Sequence, residues 1–128
     1  MIIKKLSDVV GTEAEVVSEN WISRRLLLKK DKMGFSLHDT IIKAGTTTKI
    51  HYQNHLEAVY CIEGKGKVEL VDSGEVFEIE AGTVYALDQH DKHLLSAEVD
   101  MRLVCVFNPP IAGTEKHDEN GVFPACLD

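Results

Sequence analysis

A carboxylate, a phenol and an imidazole stand at Glu57, Tyr85 and His93, three side-chain types that can hold a divalent metal. Further along, Glu115 and His117 lie two residues apart, and such groups exchange protons near neutral pH. Each of the first three also has a plainer reading. Glu57 fits an exposed carboxylate at a strand start, and Tyr85 fits a core aromatic with a satisfied hydroxyl. His93 fits a surface histidine beside Asp91 and Lys92. The choice turns on whether the chain folds these side chains into one cavity.

Two glycine-punctuated motifs bear on that choice. The first runs Gly45, His51, Glu57, Gly64, with Gln53 two residues after His51. The second runs Gly74, Glu80, Gly82, Tyr85, Gln89. Together they resemble the two halves of a cupin barrel, whose general motifs are G-x5-H-x-H-x3-E-x6-G and G-x5-P-x-G-x2-H-x3-N. Here Gln53 stands for the second histidine, Glu80 for proline, Tyr85 for the metal histidine and Gln89 for asparagine. Half of the usual ligand positions are therefore altered. His93, beyond the polar turn Asp88-Gln89-His90-Asp91-Lys92, is the residue that could complete a replacement set.

A more specific likeness spans nearly the whole chain. The runs His51-Tyr52-Gln53-Asn54-His55-Leu56-Glu57 and Leu87-Asp88-Gln89-His90-Asp91-Lys92-His93 resemble ectoine synthase. So do Gly113-Thr114-Glu115-Lys116-His117 and the early Asn20-Trp21 with Arg25. The resemblance implies a carbon–oxygen lyase (a hydro-lyase) that closes a ring in N-γ-acetyl-L-2,4-diaminobutyrate to give the compatible solute ectoine. It implies Fe(II), with Mn or Zn as substitutes, held by Glu57, Tyr85 and His93. It also implies substrate contacts from Trp21, Arg25, Thr40, Tyr52, His55, Cys105 and Phe107, with Glu115, His117 and Tyr52 at the chemistry. Arg25 would fork onto the substrate carboxylate. His51 holds a cupin ligand position that the family's metal set does not use, so it is expected to support the ligands from behind. Two other readings stay open: another metal-dependent cupin lyase or isomerase on a small polar acid, and a non-catalytic ligand-binding cupin.

At 128 residues the chain is expected to be a single domain, residues 1–128, large enough for a core of its own. A net charge of −7 argues against nucleic acid and against an anionic membrane surface as partners. The N-terminus lacks an apolar run after Lys4 and Lys5, which argues against a secretory leader and for the cytoplasm. Three cysteines (Cys61, Cys105, Cys126) show no zinc spacing and fit reduced thiols.

Short strand-like runs separated by turn residues predict an all-β fold, the cupin double-stranded β-helix. A helical turn capped by Ser7 is expected over Ser7 to Val10. Strands are expected over Arg24 to Lys29, Phe35 to Lys43, Glu57 to Glu63 and Lys67 to Val71. Four more follow, over Glu75 to Ile79, Val84 to Leu87, His93 to Ala97 and Arg102 to Phe107. Gly64-Lys65-Gly66 and Asp72-Ser73-Gly74 read as hairpin turns. Alternation puts Glu57, Val59 and Cys61 on one face, and Leu103, Cys105 and Phe107 on the matching face of the last strand. Arg24 and Arg25 are adjacent, so only one can point inward. Asn108-Pro109-Pro110 ends the strands, and residues 108–128 are expected to form a polar lid. Cupin barrels often pair edge strands, so a homodimer is expected by analogy.

Overall fold

A computed structural model describes residues 1–124. It is the two-sheet, mainly antiparallel architecture that the motifs anticipate. A short helix, α1 (Leu6–Val9), leads into ten strands: β1 (Glu15–Val17), β2 (Trp21–Leu27), β3 (Ser36–Ile42), β4 (Thr47–Ile50), β5 (Leu56–Glu63), β6 (Lys65–Leu70), β7 (Val76–Glu80), β8 (Val84–Leu87), β9 (His93–Ala97) and β10 (Met101–Asn108). One sheet has the order β1-β2-β3-β10-β5-β8, the other β4-β9-β6-β7. No helix among the described residues is long and apolar enough to cross a membrane.

The core lies between the sheets, because strands such as β5, β9 and β10 alternate one buried and one outward face. On β5, Glu57, Val59 and Cys61 are buried while Ala58 and Tyr60 are exposed. On β10, Leu103, Cys105 and Phe107 are buried. Cys105 pairs with Val59 and Phe107 with Glu57, which aligns the two inner faces. Val59 pairs in turn with Tyr85 of β8, and Glu57 with Leu87. Glu57 and Tyr85 are thereby diagonal neighbours on one face.

Several expectations need correction. Lys5, not Ser7, is the residue that caps α1, and the Asp8 carboxylate accepts the Lys5 backbone N–H at 2.9 Å. Strands β1 and β4 were not foreseen, since neither has the long apolar alternation of a core strand. The first core strand begins at Trp21, and Lys29 already belongs to a 3-10 turn. Gly64-Lys65-Gly66 is no hairpin: β5 and β6 belong to different sheets, and β6 starts at Lys65. Gly64, at φ +91°, is where the chain crosses between them, and a Cβ there would strike the Asp100 carbonyl oxygen. Asp72-Ser73-Gly74 does turn β6 into β7. Arg24 and Arg25 point to opposite faces as expected, yet both are buried. Arg24 lies on the outer face, where it and Arg102 share the Asp39 carboxylate at 2.5 and 2.7 Å.

After β10 the chain makes a cis Asn108–Pro109 bond and runs back as an ordered strap. Its amides are well used. The Ile111 carbonyl accepts from Lys29 N–H at 2.9 Å, and the Gly121 carbonyl accepts from His51 N–H at 2.8 Å. Gly121 has φ +76°, and a Cβ there would collide with the Lys49 carbonyl, so the strap seats on β4 only with glycine at that position. Cys126 lies outside the described residues; Cys61 and Cys105 are buried free thiols.

Candidate active site

The inter-sheet space narrows to a cavity of about 40 Å³. Trp21, Thr40, Tyr52, Glu57, Tyr85, Cys105, Phe107 and His117 all line it. Eight of the expected site residues therefore meet in one place. The metal-side residues come from both sheets: Glu57 and Tyr85 from the larger, His93 from β9 of the smaller. The Tyr85 and His93 rings stand edge-to-face with centroids 6.4 Å apart.

His93 is fully buried, and its Nδ1 donates to the Asp91 carbonyl at 2.8 Å. That bond fixes the proton on Nδ1 and leaves Nε2 with a lone pair. Nε2 is buried and has no hydrogen-bond partner. The turn that carries His93 is braced by His90, whose Nδ1 donates to the Tyr52 carbonyl at 2.8 Å. Burial pushes the Glu57 carboxyl up to about 8, opposed by a hydrogen bond from the Cys105 thiol. Burial raises the Tyr85 phenol well above its ordinary value, and the Glu57 charge adds to this. These groups want a cation. Glu57 and Tyr85 line the cavity, and His93 lies behind them on the facing sheet, against Tyr85. An orphaned imidazole lone pair, a desolvated carboxylate and a phenol are a donor set that fits a divalent metal. No group of three or more His, Cys, Asp or Glu side chains is poised for a metal among the described residues. A three-ligand centre in this cavity therefore has to include the phenol.

Aromatic rings line much of the rest of the cavity. Tyr52 stacks on Phe123 with centroids 5.0 Å apart and meets Phe107 edge-on at 5.1 Å. His117 lies 4.5 Å from Phe123 and 5.3 Å from Trp21. The Tyr52 hydroxyl and His117 Nε2 share a 2.8 Å hydrogen bond. Burial, with Arg25 second, lowers the His117 pKa to about 4, so the ring is neutral near pH 7. Phe123 was missed in the sequence. Its signal was slight: one aromatic after Asn120-Gly121 in an otherwise polar tail.

Arg25 and Glu115 do not line the cavity. Three Arg25 donors are committed: Nε to Ser23 Oγ at 3.2 Å, and the two Nη atoms to the carbonyls of Gly113 and Glu115 at 2.6 and 2.5 Å. Burial brings its pKa down to about 10. The Glu115 carboxylate accepts the N–H groups of Ala112 and Gly113 at 2.8 and 2.7 Å, and it does not line the cavity. Both residues build the strap. His55 is buried beside Phe107 and Phe123, with both ring nitrogens unpartnered. His51 is partly exposed, off the cavity, with Nδ1 3.4 Å from the Gln53 amide nitrogen.

A family model described as ectoine synthase matches residues 1–126. The chain belongs to the ectoine synthase family. It is 70% identical over 128 residues to the L-ectoine synthase of Halalkalibacterium halodurans, covering all of this chain and 99% of that one. The crystal structure of the ectoine synthase from P. lautus superposes with a TM-score of 0.85 at 57% identity, covering 88% of this chain and 80% of that one. The Clostridium difficile EutQ protein matches at a TM-score of 0.67 with 18% identity, over 83% of this chain and 78% of that one. That last likeness concerns the fold alone.

Proposed function

We propose that this chain forms ectoine by ring closure within N-γ-acetyl-L-2,4-diaminobutyrate. The α-amine nitrogen bonds to the acetamide carbonyl carbon, the former carbonyl oxygen leaves as water, and a C=N bond remains. An amide carbonyl is a poor electrophile, so the site has to polarise its oxygen. Fe(II), or Mn or Zn in its place, held by Glu57, Tyr85 and His93, would supply Lewis-acid polarisation without redox change. What supports the metal is the orphaned, buried Nε2 of His93.

The chain's own residues handle position, water and protons. Trp21, Tyr52, Phe107 and Phe123 make a dry aromatic wall that presses a short, flexible substrate towards a folded conformation. Thr40 and Cys105 face the substrate from the β3–β10 side, and the Cys105 thiol also holds the Glu57 carboxylate. The α-ammonium must lose a proton before it attacks, and the departing oxygen must gain one. The Tyr52–His117 pair offers both: a neutral imidazole to accept and a phenol to donate. His55, with two unpartnered nitrogens, contributes polar contacts at the buried end. Arg25 serves substrate binding by holding the strap, and with it His117, over the cavity. Residues 109–124 are in this reading the lid, which withdraws to admit substrate.

We also infer a cytoplasmic enzyme, in keeping with two buried free thiols. A homodimer is inferred through exposed edge strands such as β8, where Val84 is 64% exposed. Light scattering on wild type and Val84→Lys tests the pairing; a monomeric wild type refutes it.

The decisive assay incubates metal-stripped protein anaerobically with the acetylated diamino acid, with and without Fe(II), and follows the cyclic amidine by NMR. Ectoine formed only after Fe(II) is restored is the expected result. Equal formation without metal keeps the enzyme and removes the role given to Glu57, Tyr85 and His93. No ectoine from folded, metal-loaded protein points to another cupin activity.

A further inference from the structure

Among the described residues, His38 is the one imidazole lining the cavity that the reaction leaves unused. It lines the cavity on β3, is 2% exposed, and its ring lies 4.9 Å from that of Phe107. Both its nitrogens are taken. Nδ1 is 3.2 Å from Ser23 Oγ, and Nε2 is 3.1 Å from Ser36 Oγ. Each serine is itself held from outside: Ser23 Oγ accepts Arg25 Nε–H at 3.2 Å, and Ser36 Oγ accepts the Ile111 backbone N–H at 2.9 Å.

The protons of this network can be counted. Each hydroxyl, having accepted one N–H, keeps one lone pair and one proton of its own. A neutral imidazole donates to one serine and accepts from the other, so only one hydroxyl proton has to turn away, whichever ring nitrogen carries the proton. An imidazolium would need both hydroxyl protons to turn away from it. The network therefore holds the ring neutral, and burial pushes its pKa down in the same sense. A ring with no free nitrogen has nothing to offer a substrate.

Its neighbours do have something to hold. The chain of contacts runs Arg25, Ser23, His38, Ser36, Ile111, and both of its ends grip the strap. Arg25 binds the carbonyls of Gly113 and Glu115, while Ser36 binds the Ile111 amide. We infer that His38 is a positioning residue: it sets the Ser23 and Ser36 hydroxyls so that the barrel grips the strap at two points and holds His117 and Phe123 over the cavity. This deepens the ring-closing reading and rests on it for the kinetic measurement alone.

The test uses full-length, metal-loaded protein with His38→Leu, His38→Gln and Ser36→Ala. Amide hydrogen exchange is followed by NMR alongside kcat and KM. In His38→Leu the Ile111 and Gly113 amides are expected to exchange about tenfold faster, while β5 and β10 keep their protection. KM should rise about tenfold with kcat changed less than about threefold. Gln, with an amide donor and acceptor, should recover most of both, and Ser36→Ala should reproduce the Ile111 exchange with His38 intact. Unchanged Ile111 exchange in His38→Leu overturns the inference, and a loss of activity alongside it would mark a direct substrate contact. Uniform loss of protection in Leu and Gln variants also overturns it, since His38 would then only fill space. Should His38→Leu not fold, Ser36→Ala decides: unchanged Ile111 exchange there overturns the grip. A wild type that makes no ectoine counts against the reaction, and the exchange measurement still decides the role of His38.

Discussion

The two walls of the cavity are built on opposite terms. On the strap side the polar groups have their partners, Arg25 on two carbonyls, Glu115 on two amides and Tyr52 on His117, with His55 beneath Phe123 as the exception. On the metal side a buried imidazole nitrogen has none, and burial leaves a carboxyl and a phenol strained towards their protonated forms. Buried polar groups are normally satisfied, so the second wall is incomplete as protein alone. The first wall is a closure; the second is a socket. Substitutions should therefore act differently on the two sides.

The largest effect is expected from the socket. Glu57→Gln or His93→Ala should cost about a thousandfold or more in kcat, because the polarising charge contributes several kcal/mol of transition-state stabilisation. Metal content, measured with circular dichroism to confirm folding, should fall together with activity. Full metal content with lost activity would move these residues from ligand to some other task.

Metal removal should expose the socket as a pH dependence of stability. In the stripped protein Glu57 titrates near 8 when folded and near its ordinary value when unfolded. Between those values the folded state holds one proton more, so stability falls as pH rises and the loss is complete just above 8. The buried histidines act in the opposite direction. His55, His93 and His117 all have lowered pKa values, so below about 6.5 they make the protein more stable as pH rises. The clean window for Glu57 is therefore from about 6.5 to 8. Stripped protein should lose on the order of 1–2 kcal/mol across it. Mn(II), by displacing the proton, should flatten the slope. Denaturant titrations at three pH values, with and without metal, check this; parallel curves would sink it.

On the closure side, Arg25→Lys keeps the charge but loses the planar fork that spans two carbonyls. KM should rise about tenfold, and proteases should cut within residues 109–124, with β-strand cleavage unchanged. Cleavage spread over the barrel would mean that Arg25 supports the core instead. Tyr52→Phe keeps the stacked ring and deletes the bond to His117. It should cost about 1 kcal/mol in stability and about tenfold in kcat. A neutral outcome on kcat would remove Tyr52 from the proton path.

The contrast between the walls also explains what could be read in the sequence. The socket residues were named from the family likeness, and strand alternation agrees with it: with Glu57 inward, register with β10 and β8 puts Phe107, Cys105 and Tyr85 on the same wall. Those strands are long, apolar on one face and bounded by glycine turns. The closure was much less legible. Its contacts join Arg25 to Gly113 and Tyr52 to His117, which are 88 and 65 residues apart, and no local periodicity encodes them. Strands β1 and β4 escaped notice for a related reason: Thr47–Ile50 is mostly polar, and it is a strand because β9 pairs with its backbone. The false hairpin at Gly64 shows the same limit. Glycine marks a change of direction there, and only the tertiary fold says that the change is a crossing between sheets.

Glu115 gives the smallest expected effect and the sharpest test of the comparison. A carboxylate two residues before His117 looks like its partner in acid–base work, which is how the family resemblance presents it. In the fold its oxygens face Ala112 and Gly113 N–H, and these bonds together with Arg25 draw its pKa down, although burial opposes them. A group held ionised by two backbone donors is a poor proton carrier near neutral pH. Glu115→Gln keeps an oxygen that can accept from the Gly113 amide, and loses the charge and the acceptor for the Ala112 N–H. Activity should fall about two- to threefold, mostly in KM, with the shape of the kcat–pH profile unchanged. Glu115→Ala, which removes both acceptors, should be worse and should resemble Arg25→Lys in protease sensitivity. If Glu115→Gln instead loses more than about a hundredfold in kcat, with the strap still protected, then the carboxylate reaches the substrate during turnover. The closed wall would in that case be a resting state, and the chemistry would run with the strap rearranged.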